Sequence, residues 1–199
     1  MRHFVSMLAA ALAIPLAASA ISIGATAPAF EARDAAGKPV SLAALRGKTV
    51  VLEWTNNGCP FVGHMYSSGV MQRLQRQAAA DGVVWLTVIS SAPGKQGYLT
   101  GAQVPAWKAK VNAASADVLV DPSGAIGNAY DARTTPDMYV INPDGRLVYA
   151  GAIDDNPSTN PADARTARNY VVGALADLKA GRPIAPAITK PYGCSVKYP

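Results

Sequence analysis

Val50-Val51-Leu52-Glu53-Trp54-Thr55-Asn56-Asn57-Gly58-Cys59-Pro60-Phe61-Val62 is the stretch that decides how this chain folds. An apolar, strand-forming run stops at polar turn residues, and Cys59 followed by Pro60 opens the next element. That order reads as strand, tight turn and helix start, with the thiol at the helix N-terminus. Pro60 suits the first helical turn, because the N–H it lacks would have had no partner there. The unpaired amides and the positive end of the helix dipole favour an anion, so Cys59 is placed to ionise, and the thiolate is the nucleophilic form.

Around that stretch the elements alternate. A short strand over 29–33 and a turn at 34–38 precede residues 40–45, which lead through Gly47 into the strand 49–54. Residues 67–80 carry Val70, Met71 and Leu74 at helical spacing with Gln and Arg opposite, and Asp81-Gly82 closes that helix. A buried strand over 83–90, a Gly- and Pro-punctuated loop over 91–101 and a helix over 104–113 follow. Then come a strand at 118–120 and a helical turn at 126–130. Two strands, 138–142 and 146–150, flank the hairpin signal Pro143-Asp144-Gly145, before a long helix over 162–180 that stops at Gly181. From Arg182 the tail is Pro-rich, reads as extended over the surface, and delivers Cys194. Strands alternating with helices, then a hairpin and a final helix, argue an α/β sheet with helices on both faces.

The first twenty residues speak to the compartment. A short basic start, Met1-Arg2-His3, precedes an apolar stretch over 4–16 and the small-x-small pattern Ala18-Ser19-Ala20. This is the pattern of a secretory signal peptide, its apolar core too short for a membrane span. The expectation is a signal peptide over 1–20, one domain over 21–181, a tail over 182–199, and a periplasmic or otherwise exported product. The composition, 50% hydrophobic and 16% charged, is that of an ordered domain. The net charge of +5 comes from scattered basic residues without interleaved aromatics, so no nucleic-acid footprint is present.

Cys59 and Cys194 are the two cysteines of the chain and can pair with each other in one way. An oxidising compartment permits that bond. It reads either as a permanent staple of tail to body, contributing about 5 kcal/mol in the chain-entropy model, or as a reversible couple in which one cysteine attacks and the other resolves. The first reading makes the chain a binding or structural module. The second makes it a redox protein, and the placement of Cys59 between strand and helix favours it. His64, Met65 and Met71 raise the alternative of a soft metal site, for which Cys, His and Met suit copper; a helix-start histidine beside core methionines is the plainer reading. Trp54, Trp85 and Trp107 read as core or rim aromatics, and Asp154-Asp155 as a solvated turn.

The chain resembles the thioredoxin-like superfamily, and within it the redoxin branch of alkyl hydroperoxide reductases and peroxiredoxins, in an exported subgroup. The resemblance rests on Gly24-Ala25-Thr26-Ala27-Pro28-Ala29-Phe30, Gly37-Lys38-Pro39-Val40-Ser41-Leu42, Leu45-Arg46-Gly47-Lys48, Gly58-Cys59-Pro60-Phe61-Val62, Thr134-Thr135-Pro136 and Tyr192-Gly193-Cys194-Ser195-Val196-Lys197-Tyr198. It implies a central mixed sheet flanked by helices, with an extended C-terminal tail. It implies that Cys59 is the attacking cysteine and Cys194 its resolving partner. Pro136 becomes the family's cis-proline, with Thr135 offering its backbone to a docked substrate. Glu53, six residues before Cys59, takes the position of thioredoxin's buried acid, where burial would raise its pKa and make it a proton acceptor; an exposed strand-edge carboxylate is the other reading. Arg133 is a candidate cation for the thiolate, or else a solvated loop arginine.

Two departures stand out. Val62 occupies the place of a thioredoxin's second cysteine. Leu52 and Asn56 occupy the places of the Pro and Thr that precede a peroxidatic cysteine, leaving the Asn56 amide or the Thr55 hydroxyl to substitute. The activity implied is thiol-dependent reduction of a hydroperoxide or a protein disulfide, reset by an external dithiol reductant, with no metal or organic cofactor required.

Overall fold

The computed structural model describes residues 21–199; the expected signal peptide, 1–20, lies outside the described residues. Its centre is a five-stranded mixed sheet in the order β5-β4-β3-β7-β8. β3 (Val50–Trp54), β4 (Val84–Ile89) and β5 (Asp117–Val120) run parallel, while β7 (Asp137–Ile141) is antiparallel to β3 and β8 (Leu147–Gly151) to β7. Every residue of β3 and β7 is buried, as expected of strands covered on both faces, which is why β3 reads as a continuous apolar run.

The two-residue period of β3 sorts its side chains between two cores. Val50, Leu52 and Trp54 pack with Leu86, Val88, Leu119, Tyr130 and Tyr139 on one face. Val51 joins Met65, Met71, Trp85, Met138, Val140 and Val171 on the other, where the helices α1 (Pro60–Ser67), α2 (Val70–Ala80) and α6 (Tyr170–Lys179) pack. Glu53 shares the parity of Val51 and so enters the helix-covered core. α3 (Val104–Val111) adds Val104 and Trp107 to that core, and α4 (Ala125–Ala129) adds Ile126 to the opposite one. Ahead of the sheet, β1 (Glu31–Arg33) and β2 (Pro39–Ser41) form a small antiparallel ribbon.

The structure corrects several boundaries. The helix expected over 67–80 begins only at Val70, as α2: the helix opened by Cys59 and Pro60 is a separate one, α1, and the chain breaks between them at Gly69, whose φ of 79° is left-handed. The long helix over 162–180 is two, α5 (Pro161–Ala164) and α6, since Asn160 and Asn169 each cap a separate start by accepting a backbone N–H. Residues 43–45 form a 3₁₀ turn rather than extending β2. The tail is more than a surface strap. Ile188 bridges Ala150 at the β8 edge, and β9 (Cys194–Ser195) pairs antiparallel with β6 (Thr134–Thr135). No helix among the described residues is long and apolar enough to cross a membrane.

Candidate redox site

The turn after β3 is built by Asn56. Its side-chain oxygen accepts the Gly58 N–H at 2.8 Å and its carbonyl accepts the Cys59 N–H at 3.0 Å, which presents Cys59 at the head of α1. The Asn56 amide group donates to the Gln96 carbonyl at 3.3 Å, so the side chain proposed for substrate contact is engaged in shaping the turn. Thr55, next to it, is buried, and its hydroxyl has no hydrogen-bond partner.

Cys59 is only 2% exposed because Cys194 lies on it, the two sulfurs 2.6 Å apart and both thiols free. The Cys59 thiol also reaches the Thr135 carbonyl oxygen at 3.2 Å. The Thr135–Pro136 bond is cis, and β6 ends there, so the Thr135 backbone faces the thiol. Cys194 stands opposite Thr135 in the β6–β9 register. Gly193 makes that approach possible: its φ is 129°, and a Cβ there would fall on the Thr135 carbonyl oxygen.

The two thiols are unequal. Burial is the largest influence on Cys59 and pushes its pKa up. Hydrogen bonds from the Cys194 thiol and the Thr135 side chain, with the Val62 and Cys194 backbone N–H groups, outweigh it and leave the thiol below its ordinary value. Cys194 is raised, first by burial and then by the hydrogen bond and charge of Cys59. Of the pair, Cys59 is therefore the more acidic thiol.

Glu53 is fully buried. It accepts hydrogen bonds from Trp85 Nε1 at 2.8 Å, Tyr66 Oη at 2.9 Å, Gln75 Nε2 at 3.0 Å and Thr87 Oγ1 at 3.3 Å. Burial pushes its pKa up to about 7 against the pull of those four donors. The exposed strand-edge reading of Glu53 is thereby excluded.

Arg133 is corrected. Its guanidinium, 74% exposed, forks onto Asp131 at 2.7 Å, and its contributions toward the site are backbone ones: its N–H to Asp137 and its carbonyl to Val196 N–H. A neighbouring carboxylate two residues away outcompetes a desolvated thiolate for a long, hydrated side chain. Among the described residues, neither cysteine has a cation as a hydrogen-bond partner.

Two further corrections concern polar residues. Asp154 is not in a solvated turn. It is 2% exposed and accepts the Tyr192 hydroxyl and the Asn156 N–H, so it holds the tail two residues from Cys194. His64 is buried in α1 with neither ring nitrogen partnered, and Met65 and Met71 lie in the core. Among the described residues no group of three or more His, Cys, Asp or Glu is disposed to hold a metal ion. Asp137, directly after Pro136, is a buried carboxyl that sequence reading passed over; burial pushes it up to about 7. Its one sequence signal was its place beside the Thr-Thr-Pro motif.

The fold is thioredoxin-like. An uncharacterised conserved protein of Geobacillus kaustophilus superposes with a TM-score of 0.78 at 25% identity, over 90% of this chain and 93% of its own. A thiol:disulfide interchange protein of Chlorobium tepidum superposes at 0.59 with 19% identity, over 80% and 99% of the two chains. The exposed lipoprotein thioredoxin of Streptococcus pneumoniae does so at 0.53 with 27% identity, over 77% and 99%. No curated protein sequence matches the chain. The AhpC/TSA family model matches residues 23–150, which run from the first core residues through Cys59 and the Thr135–Pro136 bond into β8 and leave Cys194 outside; that match, over more than half of the sequence, places this chain in the AhpC/TSA family.

Proposed function

We propose that the protein is an exported thiol oxidoreductase that reduces a hydroperoxide, with Cys59 as nucleophile and Cys194 as resolving thiol. The observation that carries the reading is the 2.6 Å approach of two sulfurs of unequal acidity, 135 positions apart in the chain. The Cys59 thiolate would attack the peroxide O–O bond; one oxygen becomes a sulfenic acid on sulfur, and the other leaves as alkoxide and takes a proton to become the alcohol. The Cys194 thiol then attacks the sulfenic sulfur, forming the S–S bond and releasing water. An external dithiol returns the pair to thiols by exchange. The buried carboxyls Glu53 and Asp137, both with pKa values near neutrality, are candidates for moving the protons.

Hydroperoxide is favoured over a protein disulfide because the backbone edge facing Cys59 is already paired with the tail. A hydroperoxide needs no strand edge. Export is supported by the leader-like sequence over 1–20 and by the likeness to a pneumococcal lipoprotein that is itself exposed. The test is hydroperoxide consumption with a dithiol reductant, wild type against Cys59→Ser. Turnover lost in the variant supports the assignment; turnover that persists, or that never occurs in wild type, ends it.

A further inference from the structure

The residues around Cys194 are held at points on both sides of it. On one side the Tyr192 hydroxyl donates to Asp154, and the Tyr192 ring meets Phe61 edge-on with centroids 5.8 Å apart. On the other side Val196 N–H donates to Arg133 O at 3.0 Å, and Ala92 N–H donates to Lys197 O at 2.8 Å. Beyond these, the Tyr198 hydroxyl donates to Ala132 O at 2.6 Å. The Tyr198 ring lies on Gly124 and Gly127, at both of which a Cβ would overlap it. Between these anchors only two residue pairs, Thr134 with Ser195 and Thr135 with Cys194, make the strand. No residue from 190 to 199 is fully buried. Such a segment, with a two-pair ladder and no fully buried residue, belongs to the low end of local opening free energies.

What the segment covers is a strand edge beside a nucleophile. A free edge of that kind takes up an extended polypeptide through backbone hydrogen bonds, and the pairing places the incoming side chains in register. Here the register puts a cysteine, Cys194, directly on Cys59. Another chain presenting a half-cystine at that register would set its sulfur in the same place, provided residues 192–198 had left.

We propose that residues 192–198 are a self-docked strand that sets the substrate range of Cys59, with Tyr192 and Tyr198 as the specificity-determining anchors. Seated, the strand closes the Thr134–Thr135 edge to polypeptide disulfides. Released, it opens the edge to an extended cystine-bearing segment. The proposal rests on the reading of Cys59 as a nucleophile. On the open edge the Cys59 thiolate attacks one sulfur of the incoming disulfide, a Cys59–S bond forms as the peptide S–S bond breaks, and the other sulfur departs as thiolate. Cys59 is oxidised to the mixed disulfide and the departing sulfur is reduced, so no further oxidant enters. When the strand returns, Cys194 attacks Cys59 Sγ, closes the intramolecular disulfide and frees the peptide thiol.

The experiment compares two chromogenic probes on residues 21–199: an extended peptide whose cysteine is disulfide-linked to thionitrobenzoate, and the small symmetric disulfide of thionitrobenzoate. Rates are measured for wild type, Tyr198→Ala, Tyr192→Phe and a chain ending at Lys190, with tail seating read from hydrogen exchange at the Val196 amide. In anchor variants that lose Val196 protection, the peptide rate should rise about ten-fold or more, as when a competent state ceases to be the minor one. The ratio of peptide to small-disulfide rate should rise with it. The chain ending at Lys190 should match the released variants. An unchanged ratio in any folded variant that has lost its tail strand overturns the proposal, as does a raised ratio where Val196 stays protected. Failure of the hydroperoxide reading shows separately, as wild-type Cys59 that hydrogen peroxide does not oxidise, and leaves the two-probe ratio to be read on its own.

Discussion

Cys194 stands opposite Thr135 in a two-residue antiparallel pair, and its sulfur lies 2.6 Å from Cys59 Sγ. The Cys194 thiol is thus positioned by backbone pairing with the same residue whose carbonyl the Cys59 thiol reaches. Site assembly and tail docking are one event.

Mild oxidation should therefore join Cys59 to Cys194 without a detectable intermolecular product. Peptide mapping under non-reducing conditions should find one cross-linked fragment, and monomeric protein with two freely alkylatable thiols after oxidation would count against it. In Cys194→Ser the first oxidation of Cys59 by peroxide should persist while multiple turnover stops. Loss of the first step as well would mean that Cys194 shapes the site rather than resolving it.

The Cys59 thiol should titrate below the ordinary cysteine value, since hydrogen bonds to the sulfur outweigh its burial. Alkylation rate against pH on Cys194→Ser, which keeps a hydroxyl donor, should show that midpoint. Cys194→Ala removes the donor and should move the midpoint upward. Equal midpoints in the two variants would show that Cys194 does not supply the bond.

Glu53 sets a pH dependence of stability. Its folded pKa of about 7 lies above the ordinary 4.5, so the folded state holds a proton that the unfolded chain releases first. The associated stability is present in full below pH 4.5 and is lost as pH rises through 7, an effect on the order of 3 kcal/mol. Urea unfolding at pH 5 and pH 8 should show wild type weakening with pH, with a smaller fall in Glu53→Gln. An identical fall in both would remove Glu53 as its source and leave the other raised carboxyls, Asp137 and Asp154, to account for it.

Gly193→Ala places a Cβ against the Thr135 carbonyl at a left-handed φ, so the tail cannot seat as drawn. We expect a stability loss of about 1–3 kcal/mol and closure of the Cys59–Cys194 bond slowed about ten-fold or more, while Cys59 itself still oxidises. Quenched alkylation after one equivalent of hydrogen peroxide resolves the two steps; closure at the wild-type rate would show that the β6–β9 register is dispensable.

His64 buries two ring nitrogens with no hydrogen-bond partner among the described residues, which costs free energy. His64→Leu should leave stability unchanged or raise it by up to about 2 kcal/mol, with peroxide turnover retained. A loss of turnover beyond ten-fold would instead assign the ring a part in proton movement.

The sequence by itself determined what depends on local pattern. The buried β3 run, the Asn56–Gly58 turn, Cys59 as a helix N-cap and the Pro143-Asp144-Gly145 hairpin follow from side-chain period, turn chemistry and capping, all of which act over a few residues. The family motifs added the Thr135–Pro136 site before any geometry was known. Local pattern misjudged the two helix breaks, where Gly69 and the cap Asn169 sit inside otherwise helical periodicity.

Only the tertiary structure decided which polar groups meet across the chain. Glu53 finds four donors on three different elements, Arg133 turns to Asp131, Asp154 takes the Tyr192 hydroxyl, and Cys194 arrives on Cys59 through a ladder with Thr135. Each outcome is a contest between desolvation and the partners that folding brings within reach. Apart from Asp131, two residues from Arg133, those partners lie 13 to 135 residues away, at distances set by the sheet and by the path of the tail rather than by sequence spacing.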